Sequence, residues 1–482
     1  MDKKPNILLI MADQLRFDSL GFAGNEEILT PYLNTLASDG IVFDKAYSAV
    51  PSCIGGRCAL MTGLKPKHHG RVGYEDNVRW DYNKTLAGEL AKNGYYTKCV
   101  GKMHVHPIRK TLGFHDIDLH DGYLRSARLA NIRADENQKV ADDYYHELKT
   151  TYSIDTDSTY SGLDCNSFLT REWEYKEKLH PTNWVTDKTI DFLRKRDKDM
   201  PFFLMASYLK PHPPFNPPKE YYDLYRYKKL SSPIIGDWEG NAYKTMPFKF
   251  DGSFMVDTPE LIHQMKAGYY GCISHLDRQI GRIIMALHEY QLEKDTIILF
   301  VSDHGEELGD HHYFKKGRPY EGSCHIPFMI SNLRPLGLEN LKNTHDSTLL
   351  ELRDIMPTIL EMAGCKCDKI DGKSVLPVLR GEKTKLHDYL HGEHAYGKDS
   401  AHWIISKDEK YIWFTENGKE QFFNLSKDPY ECHNEKDNPR IKKLRATLIN
   451  ELKDREEGFS DGERLIPGRP YHPTLSFLKD EK

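Results

Sequence analysis

The sequence predicts an α/β protein: a large central, mostly parallel (mixed) sheet sandwiched by helices, with a smaller C-terminal α+β subdomain containing an antiparallel sheet. Short continuous apolar runs recur along the first three quarters of the chain and stop abruptly at polar residues, as buried parallel strands do. Segments of helical period separate those runs, the alternation of a βαβ fold. Beyond about residue 375 the pattern changes to short strands joined by turn residues. The expected division is therefore 1–375 and 376–482.

Ile7 to Ala12 reads as the first core strand, ending at Asp13-Gln14. Thr30-Pro31 opens a helix carrying Leu33, Leu36 and Ala37 and stopped by Gly40; Ile41-Val42-Phe43 restarts a strand. Thr85 to Lys92 is a short helix and Tyr95 to Val100 a strand. Residues 120–180 are polar, aromatic and without a clean period, as expected of a segment that shapes a binding pocket. Asp187 to Lys195 reads as a helix and Pro201 to Ala206 as a buried strand. The clearest helix starts at Asp257-Thr258-Pro259. Ile262, Met265, Tyr269, Ile273, Leu276, Ile280, Ile284 and Leu287 follow at steps of three or four, an apolar face for the core. Thr296 to Val301 is the next strand and ends at Ser302-Asp303-His304-Gly305. Leu352 to Ala363 is an amphipathic helix. Trp403 to Ile405, Tyr411 to Phe414 and Gln421 to Asn424 are strands, followed by a helix over about 439–456.

Composition narrows the function. Across 482 residues, 67 Lys+Arg stand against 72 Asp+Glu, a net charge of −5. That balance argues against a nucleic-acid partner, which favours a basic patch. At 39% hydrophobic and 11% aromatic residues, the chain has the means to bury a core, unlike a disordered sequence. No run reaches the roughly 18 apolar residues of a membrane helix, so no membrane insertion is expected. The apolar run after Lys3-Lys4 ends at Asp13 without a cleavage site. A cytoplasmic location is expected, or a periplasmic or secreted one if a signal has been trimmed. Nine scattered cysteines read as reduced thiols, and Cys365-Lys366-Cys367 is too tight for a usual zinc pair.

The most informative segment is Pro51-Ser52-Cys53-Ile54-Gly55-Gly56-Arg57-Cys58-Ala59-Leu60-Met61-Thr62-Gly63. It resembles the signature of the formylglycine-dependent (type I) sulfatases of the alkaline phosphatase superfamily, C-x-P-S-R followed by A-x-L-x-T-G. Cys53 and Arg57 fit the frame; Leu60 sits one place early, and Gly55 stands where the family usually has Pro or Ala. Asp13-Gln14 and Asp303-His304 resemble the family's metal-binding pairs. Their Gln and His variants are similar to the iduronate-sulfatase, choline-sulfatase and phosphonate-monoester-hydrolase branches. Gly101-Lys102-Met103-His104 resembles G-K-x-H, Lys210-Pro211-His212-Pro213 a further histidine element, and Phe314-Lys315-Lys316 the segment with a sulfate-binding lysine, where Lys316 fits the spacing better than Lys315. Tyr320-Glu321-Gly322-Ser323 with Ile326-Pro327, and Phe423-Asn424-Leu425 with Asp428-Pro429-Tyr430-Glu431, resemble structural motifs of the family.

The resemblance implies a sulfuric ester hydrolase. It implies oxidation of Cys53 to formylglycine by a sulfatase-maturing enzyme that reads position 55. The hydrated aldehyde would attack sulfur and then expel sulfate by re-forming its carbonyl, an exit that serine or a thiol lacks. Asp13, Gln14, Cys53, Asp303 and His304 would hold one divalent metal; their oxygen-rich set suits Ca²⁺ first, with Mn²⁺ or Mg²⁺ as alternatives. Arg57, Lys102 and Lys316 would cradle the sulfate. His104 would bond the diol, and His212 would protonate the leaving oxygen. The 1–375 unit would be the catalytic domain.

The substrate expected is a small-molecule or oligosaccharide sulfate ester, a carbohydrate sulfate in particular. Aromatic, His and Arg residues after the Cys53 segment suit a sugar ring bearing anions. His68, His69, Tyr74, Asn77, Arg79 and Trp80 are candidates for its rim, with His106 and Arg109; Asn77, Arg79 and His106 are singled out as substrate-binding. The alternatives are an aryl sulfatase, a phosphonate monoester or phosphodiester hydrolase on the same scaffold, and an unconverted protein that binds sulfated ligands.

Overall fold

The first apolar run forms strand β1 (Asn6–Asp13), buried from end to end. It belongs to a computed structural model that describes residues 4–122, 141–156, 162–239, 258–366 and 368–479. The next described strands are β2 (Gly40–Phe43), β3 (Ala46–Tyr47), β4 (Tyr96–Gly101), β5 (Asp116–Leu119) and β6 (Phe202–Pro211). Then come β7 (Thr296–Ser302), β8 (Phe328–Ser331), β9 (Thr344–Asp346) and β10 (Leu350–Glu351). The last are β11 (Leu390–His394), β12 (Ala401–Ile405), β13 (Glu409–Phe414) and β14 (Glu420–Asn424).

Eight strands make the main sheet in the order β5-β4-β6-β1-β7-β8-β2-β9. It is mixed: β8 runs antiparallel to both β7 and β2, and the other pairs are parallel. The register Ile7↔Phe203 and Ile7↔Ile297 aligns β1 with both neighbours. The C-terminal ends of β4, β6, β1 and β7 therefore open on one edge, where α/β sheets place their ligands.

Each face of the sheet carries its own core. Ile7, Leu9 and Met11 pack with Ile54, Leu60, Ile355 and Ile359 on one side. Leu8 and Ile10 pack with Met265, Tyr269, Ile273, Leu276, Ile280 and Leu287 on the other. The latter six lie on the Pro259–Glu289 helix along the expected face, with Ile262 and Ile284 half-buried at its margin. Thr258 caps this helix by accepting from the Leu261 N–H at 3.3 Å; Asp257 lies outside the described residues. Each such buried aliphatic side chain contributes about 1.5–3 kcal/mol.

Three of the departures from expectation have a local polar cause. The helix expected from Asp187 begins six residues earlier, at Pro181, because His180 Nδ1 caps it by accepting from Thr182 N–H at 3.1 Å. Strand β6 runs on past Ala206 to Pro211 because its polar residues are satisfied inside: Tyr208 and Thr186 hydroxyls bond at 2.8 Å, and Lys210 Nζ donates to the Pro214 carbonyl at 2.6 Å. Within 120–180, Asp143–Tyr152 is a helix capped by Asp142, which accepts from Tyr145 N–H at 3.0 Å. Of that segment, 123–140 and 157–161 lie outside the described residues, as does Cys367.

Strands β11 to β14 form a sequential antiparallel sheet near the C-terminus. The Ile441–Leu452 helix packs Leu444, Leu448 and Leu452 against Ile404, Tyr411 and Trp413 of this sheet. No disulfide joins the described cysteines. No described helix is long and apolar enough to cross a membrane.

Candidate active site

Ser52 is extended and Cys53 is the first residue of a ten-residue helix, Cys53–Thr62, so the thiol sits at the positive end of the helix dipole. Gly56 lets that helix lie against the end of β7: a Cβ there would fall 2.4 Å from the Asp303 carbonyl oxygen. At Gly55 a Cβ would fall 2.4 Å from Val50 Cγ1, so Val50 occupies the space that a side chain at 55 would take.

The strand ends deliver the rest. Asp13, Lys102, His104, His212, Asp303 and His304 all have no solvent exposure, and Arg57 has 2%. Cys53 Sγ lies 3.3 Å from His304 Nε2 and 3.6 Å from Asp13 Oδ1. His304 Nδ1 donates to the Gly305 carbonyl at 2.8 Å, which fixes the ring with Nε2 toward the sulfur. Lys102 Nζ is paired with Asp13 Oδ2. Arg57 Nε donates to Asp303 Oδ2, and its Nη1 to the Lys102 carbonyl and Ser207 Oγ, each at 2.8 Å. Lys316 Nζ donates to Gln14 Oε1 at 2.5 Å and to His212 Nε2 at 2.9 Å. His212 Nδ1 donates to the Pro213 carbonyl at 2.7 Å.

These contacts set the charges. Burial opposes ionisation of the Cys53 thiol, but Lys102, Lys316 and His304 hold it well below the usual thiol range, helped by a hydrogen bond from His104. Burial and the adjacent Asp13 carboxylate push Asp303 up, despite His304 and Arg57. Against the cost of burial, Lys102 and its neighbouring cations keep Asp13 low. Burial, reinforced by Lys316, lowers His212 to about 3, so its ring is neutral near neutral pH.

The donor set fits a divalent metal. Asp13, Cys53, Asp303 and His304 are all buried and each presents a ligand atom within 4.8 Å of the others. Two carboxylates buried side by side repel each other, a cost that a cation relieves. The Gln14 amide oxygen faces the same edge but is engaged by Lys316, and its amide nitrogen donates to Glu306. Arg57 Nη2 is buried without a hydrogen bond, 3.8 Å from Asp13, a donor placed for an anionic oxygen.

The structure thus brings together Asp13, Gln14, Cys53, Arg57, Lys102, His104, His212, Asp303, His304 and Lys316. Lys315 turns away, its ammonium 5.3 Å from the Phe168 ring. The rim residues divide. Tyr74 meets the His104 ring edge-on at 5.8 Å, and Asp76 lies 3.3 Å from His104 Nε2, so the segment before Asn77 reaches the cluster. Asn77 itself is exposed, with a left-handed φ of 63°. Arg79 is exposed and paired with Asp81 at 2.8 Å. His106 is half-buried, and its carbonyl accepts from Trp80 N–H at 2.9 Å. Trp80 and His69 are buried at 1% and 0% exposure; Arg71 stacks on Trp80 at 4.7 Å, so both are packing residues rather than rim.

Sequence reasoning missed three supports. Asp121 Oδ1 accepts from the Met103 and His104 N–H groups at 2.8 and 2.9 Å and holds the turn that presents His104. Ser207 holds Arg57, and Glu306 holds Gln14 and the Lys315 N–H, the latter at 2.6 Å. Glu306 follows the Asp303-His304 pair closely in sequence; Asp121 and Ser207 carry no signal outside the fold.

Known proteins resemble this chain over nearly its whole length. The Sulfatase family profile matches residues 5–365, and a profile described as N-sulphoglucosamine sulphohydrolase, C-terminal, matches 309–458. A Clostridium perfringens protein named arylsulfatase is 47% identical, covering 99% of this chain and 100% of its own. A Rhizobium meliloti choline-sulfatase is 29% identical over 92% of this chain and 85% of its own. The crystal structure of the phosphonate monoester hydrolase of Agrobacterium radiobacter superposes with a TM-score of 0.77 at 24% identity. It covers 93% of this chain and 95% of that one, and at that identity it speaks for the fold.

Proposed function

From the premise that this chain belongs to the sulfatase family and is a sulfuric ester hydrolase, we propose that the Cys53 cluster removes sulfate from small organic esters, carbohydrate sulfates foremost. The observation that carries the reading is the convergence on Cys53 of two buried carboxylates, His304 and the cations Lys102, Lys316 and Arg57.

The contacts support a role for each residue. Converted to formylglycine by a maturing enzyme, position 53 would supply the attacking oxygen and the exit that frees sulfate. A divalent metal held by Asp13, Asp303, His304 and position 53, with Gln14 at its edge, would supply Lewis-acid polarisation; the oxygen-rich set favours Ca²⁺ over Mn²⁺ or Mg²⁺. Lys102 and His104 act on position 53 and would steady its oxygen. Arg57 is chiefly a positioning residue, because its Nε and Nη1 are committed to Asp303, Lys102 and Ser207. Lys316 and His212 act as a pair. His212 uses its Nδ1 proton on Pro213 and accepts from Lys316 on Nε2, so the proton for the leaving oxygen would come from the Lys316 ammonium. It would pass to Nε2 and then to the ester oxygen, leaving Lys316 neutral until solvent reprotonates it.

Two expectations test these roles. His212→Ala should lower kcat by about 10²–10⁴-fold on an alkyl or sugar sulfate, and far less on an activated aryl sulfate whose phenolate leaves unaided. Equal losses on both would remove His212 from proton delivery. Chelation should abolish turnover, with Ca²⁺ restoring it better than Mn²⁺ or Mg²⁺.

For the substrate, the polar rim around Tyr74, Asp76 and Asn77 suits a hydroxylated alcohol. The second reading, an aryl sulfate, is favoured by the 47% identical relative's name. Sulfate release from sulfated mono- and disaccharides, an aryl sulfate and an aryl phosphonate monoester separates them. The carbohydrate reading expects turnover of at least one sugar sulfate at a kcat/KM above the aryl sulfate's. Turnover of the aryl sulfate alone supports the second reading. Phosphonate cleavage above every sulfate ester would overturn both.

A further inference from the structure

Away from the catalytic cluster, one face of the C-terminal sheet gathers His391, Glu393 and His402. His391 and Glu393 are two residues apart on β11 and so share a face. Glu393 pairs directly with His402 on β12 in the antiparallel register. The facing ring nitrogens, His391 Nε2 and His402 Nδ1, share a hydrogen bond at 3.1 Å, whose proton a metal would displace to a free ring nitrogen, and His402 Nδ1 is 3.9 Å from Glu393 Oε2. The three ligand atoms lie within 4.8 Å of one another. We propose that His391, Glu393 and His402 form a second metal site, one that takes zinc.

The donor chemistry selects the ion. Two imidazole nitrogens and one carboxylate oxygen suit Zn²⁺ and its transition-metal neighbours, and not the oxygen-seeking Ca²⁺. Zinc–nitrogen bonds of 2.0–2.1 Å at a tetrahedral angle place two nitrogens about 3.3 Å apart, close to the spacing of the two rings.

The surroundings are those of a ligand set held in place. The His402 ring is stacked on Tyr471 at 5.1 Å and met edge-on by Phe459 at 5.2 Å. Glu393 accepts from Arg455 on Oε1 at 2.7 Å and from the Tyr471 hydroxyl on Oε2. Oε2 keeps a lone pair for a metal, and such hydrogen bonds to a ligating carboxylate are what orient it. His391, half-buried, lines a cavity of about 210 Å³ that also meets Glu451, so a metal would enter from the His391 side. Lys65, Lys67, Lys373 and Arg353 also line that cavity, Arg353 being paired with Glu351 at 2.7 Å.

The site would act as a clasp. Glu393 N–H donates to the Ala49 carbonyl and Ala395 N–H to the Val72 carbonyl, each at 2.8 Å. β11 therefore straps the chain on both sides of the Cys53 helix, and zinc would fix β11 to β12.

The test is a titration of metal-stripped, full-length protein with zinc chloride in excess Ca²⁺. It is run in an Asp303→Asn background, which disables the catalytic cluster. One zinc per chain is expected, weakened more than about tenfold by the further change His391→Ala. Cobalt loaded in place of zinc should show the visible bands of a tetrahedral ion, and these too should vanish with His391→Ala. His391 is half-buried, so this variant is expected to fold; its unchanged circular dichroism checks that. In otherwise native protein, His391→Ala should leave sulfate release intact. No zinc in the Asp303→Asn background, or zinc whose affinity ignores His391→Ala, overturns the proposal.

Discussion

At the scale of single residues, the departure at Gly55 has a physical reason. The family's Pro or Ala at this position is replaced by glycine because Val50 reaches into the same space, with Cγ1 2.4 Å from where a Cβ would stand. Gly55→Ala alone should overpack the helix start and cost about 1–3 kcal/mol, offsetting any gain in helix propensity. Pairing it with Val50→Ala should recover most of that loss. Urea midpoints for the two single variants and the double variant give the coupling directly; additive effects would dissolve the explanation. The same scale shows what a sequence can carry. Cys53, Asp13, Asp303 and Lys102 were readable because each sits in a short motif at a strand or helix end. Asp121 and Ser207 were not, because each acts through a hydrogen bond to a partner about 17 and 150 residues away, respectively.

At the scale of elements, long periodic segments were legible and polar caps were not. The Pro259–Glu289 helix follows its apolar period closely. The Asp143–Tyr152 helix has its apolar face made of Tyr144, Tyr145 and Leu148, too polar a set to stand out. β11 was missed because Leu390-His391-Gly392-Glu393-His394 shows no apolar alternation, although four of its five residues are buried. One helix also secures another. Asp277, on Pro259–Glu289, accepts from the Leu33 and Tyr32 N–H groups at 2.7 and 3.2 Å, satisfying the first turn of the Pro31–Ser38 helix. Burial pushes its carboxyl up to about 7, so the folded state holds a proton that the unfolded chain releases near 3.9. That contribution is complete below the unfolded value and is lost as pH rises through about 7. Measured against Asp277→Asn, which does not titrate, the native protein should lose about 1.4 kcal/mol of relative stability per pH unit between pH 4 and 7. Denaturation at pH 5 and pH 8 checks the sign, and a difference independent of pH would contradict it.

At the scale of the whole molecule, the parallel register of β4, β6, β1 and β7 is what turns scattered motifs into one site. The alternation of strands and helices made the sheet legible, but not its antiparallel β8, which pairing alone decides. The C-terminal tail is part of the same construction. Val72 N–H donates to the Pro473 carbonyl and Leu475 N–H to the Gly70 carbonyl, each at 2.9 Å, so the tail braces the segment after the Cys53 helix. Ending the chain at residue 469 should cost roughly 3 kcal/mol from these bonds and the half-buried Tyr471 ring, read as a lower Tm with reduced activity. An unchanged Tm would mean that the tail is not a brace. Sulfate release by this cluster depends on Cys53 becoming an aldehyde. The direct measurement is the mass of the tryptic peptide Ala46–Arg57 from protein made with a sulfatase-maturing enzyme, with and without a hydrazine trap. The account predicts the formylglycine mass, shifted by the trap, in the same preparation that releases sulfate. Unmodified cysteine in a preparation that still hydrolyses sulfate esters would contradict it.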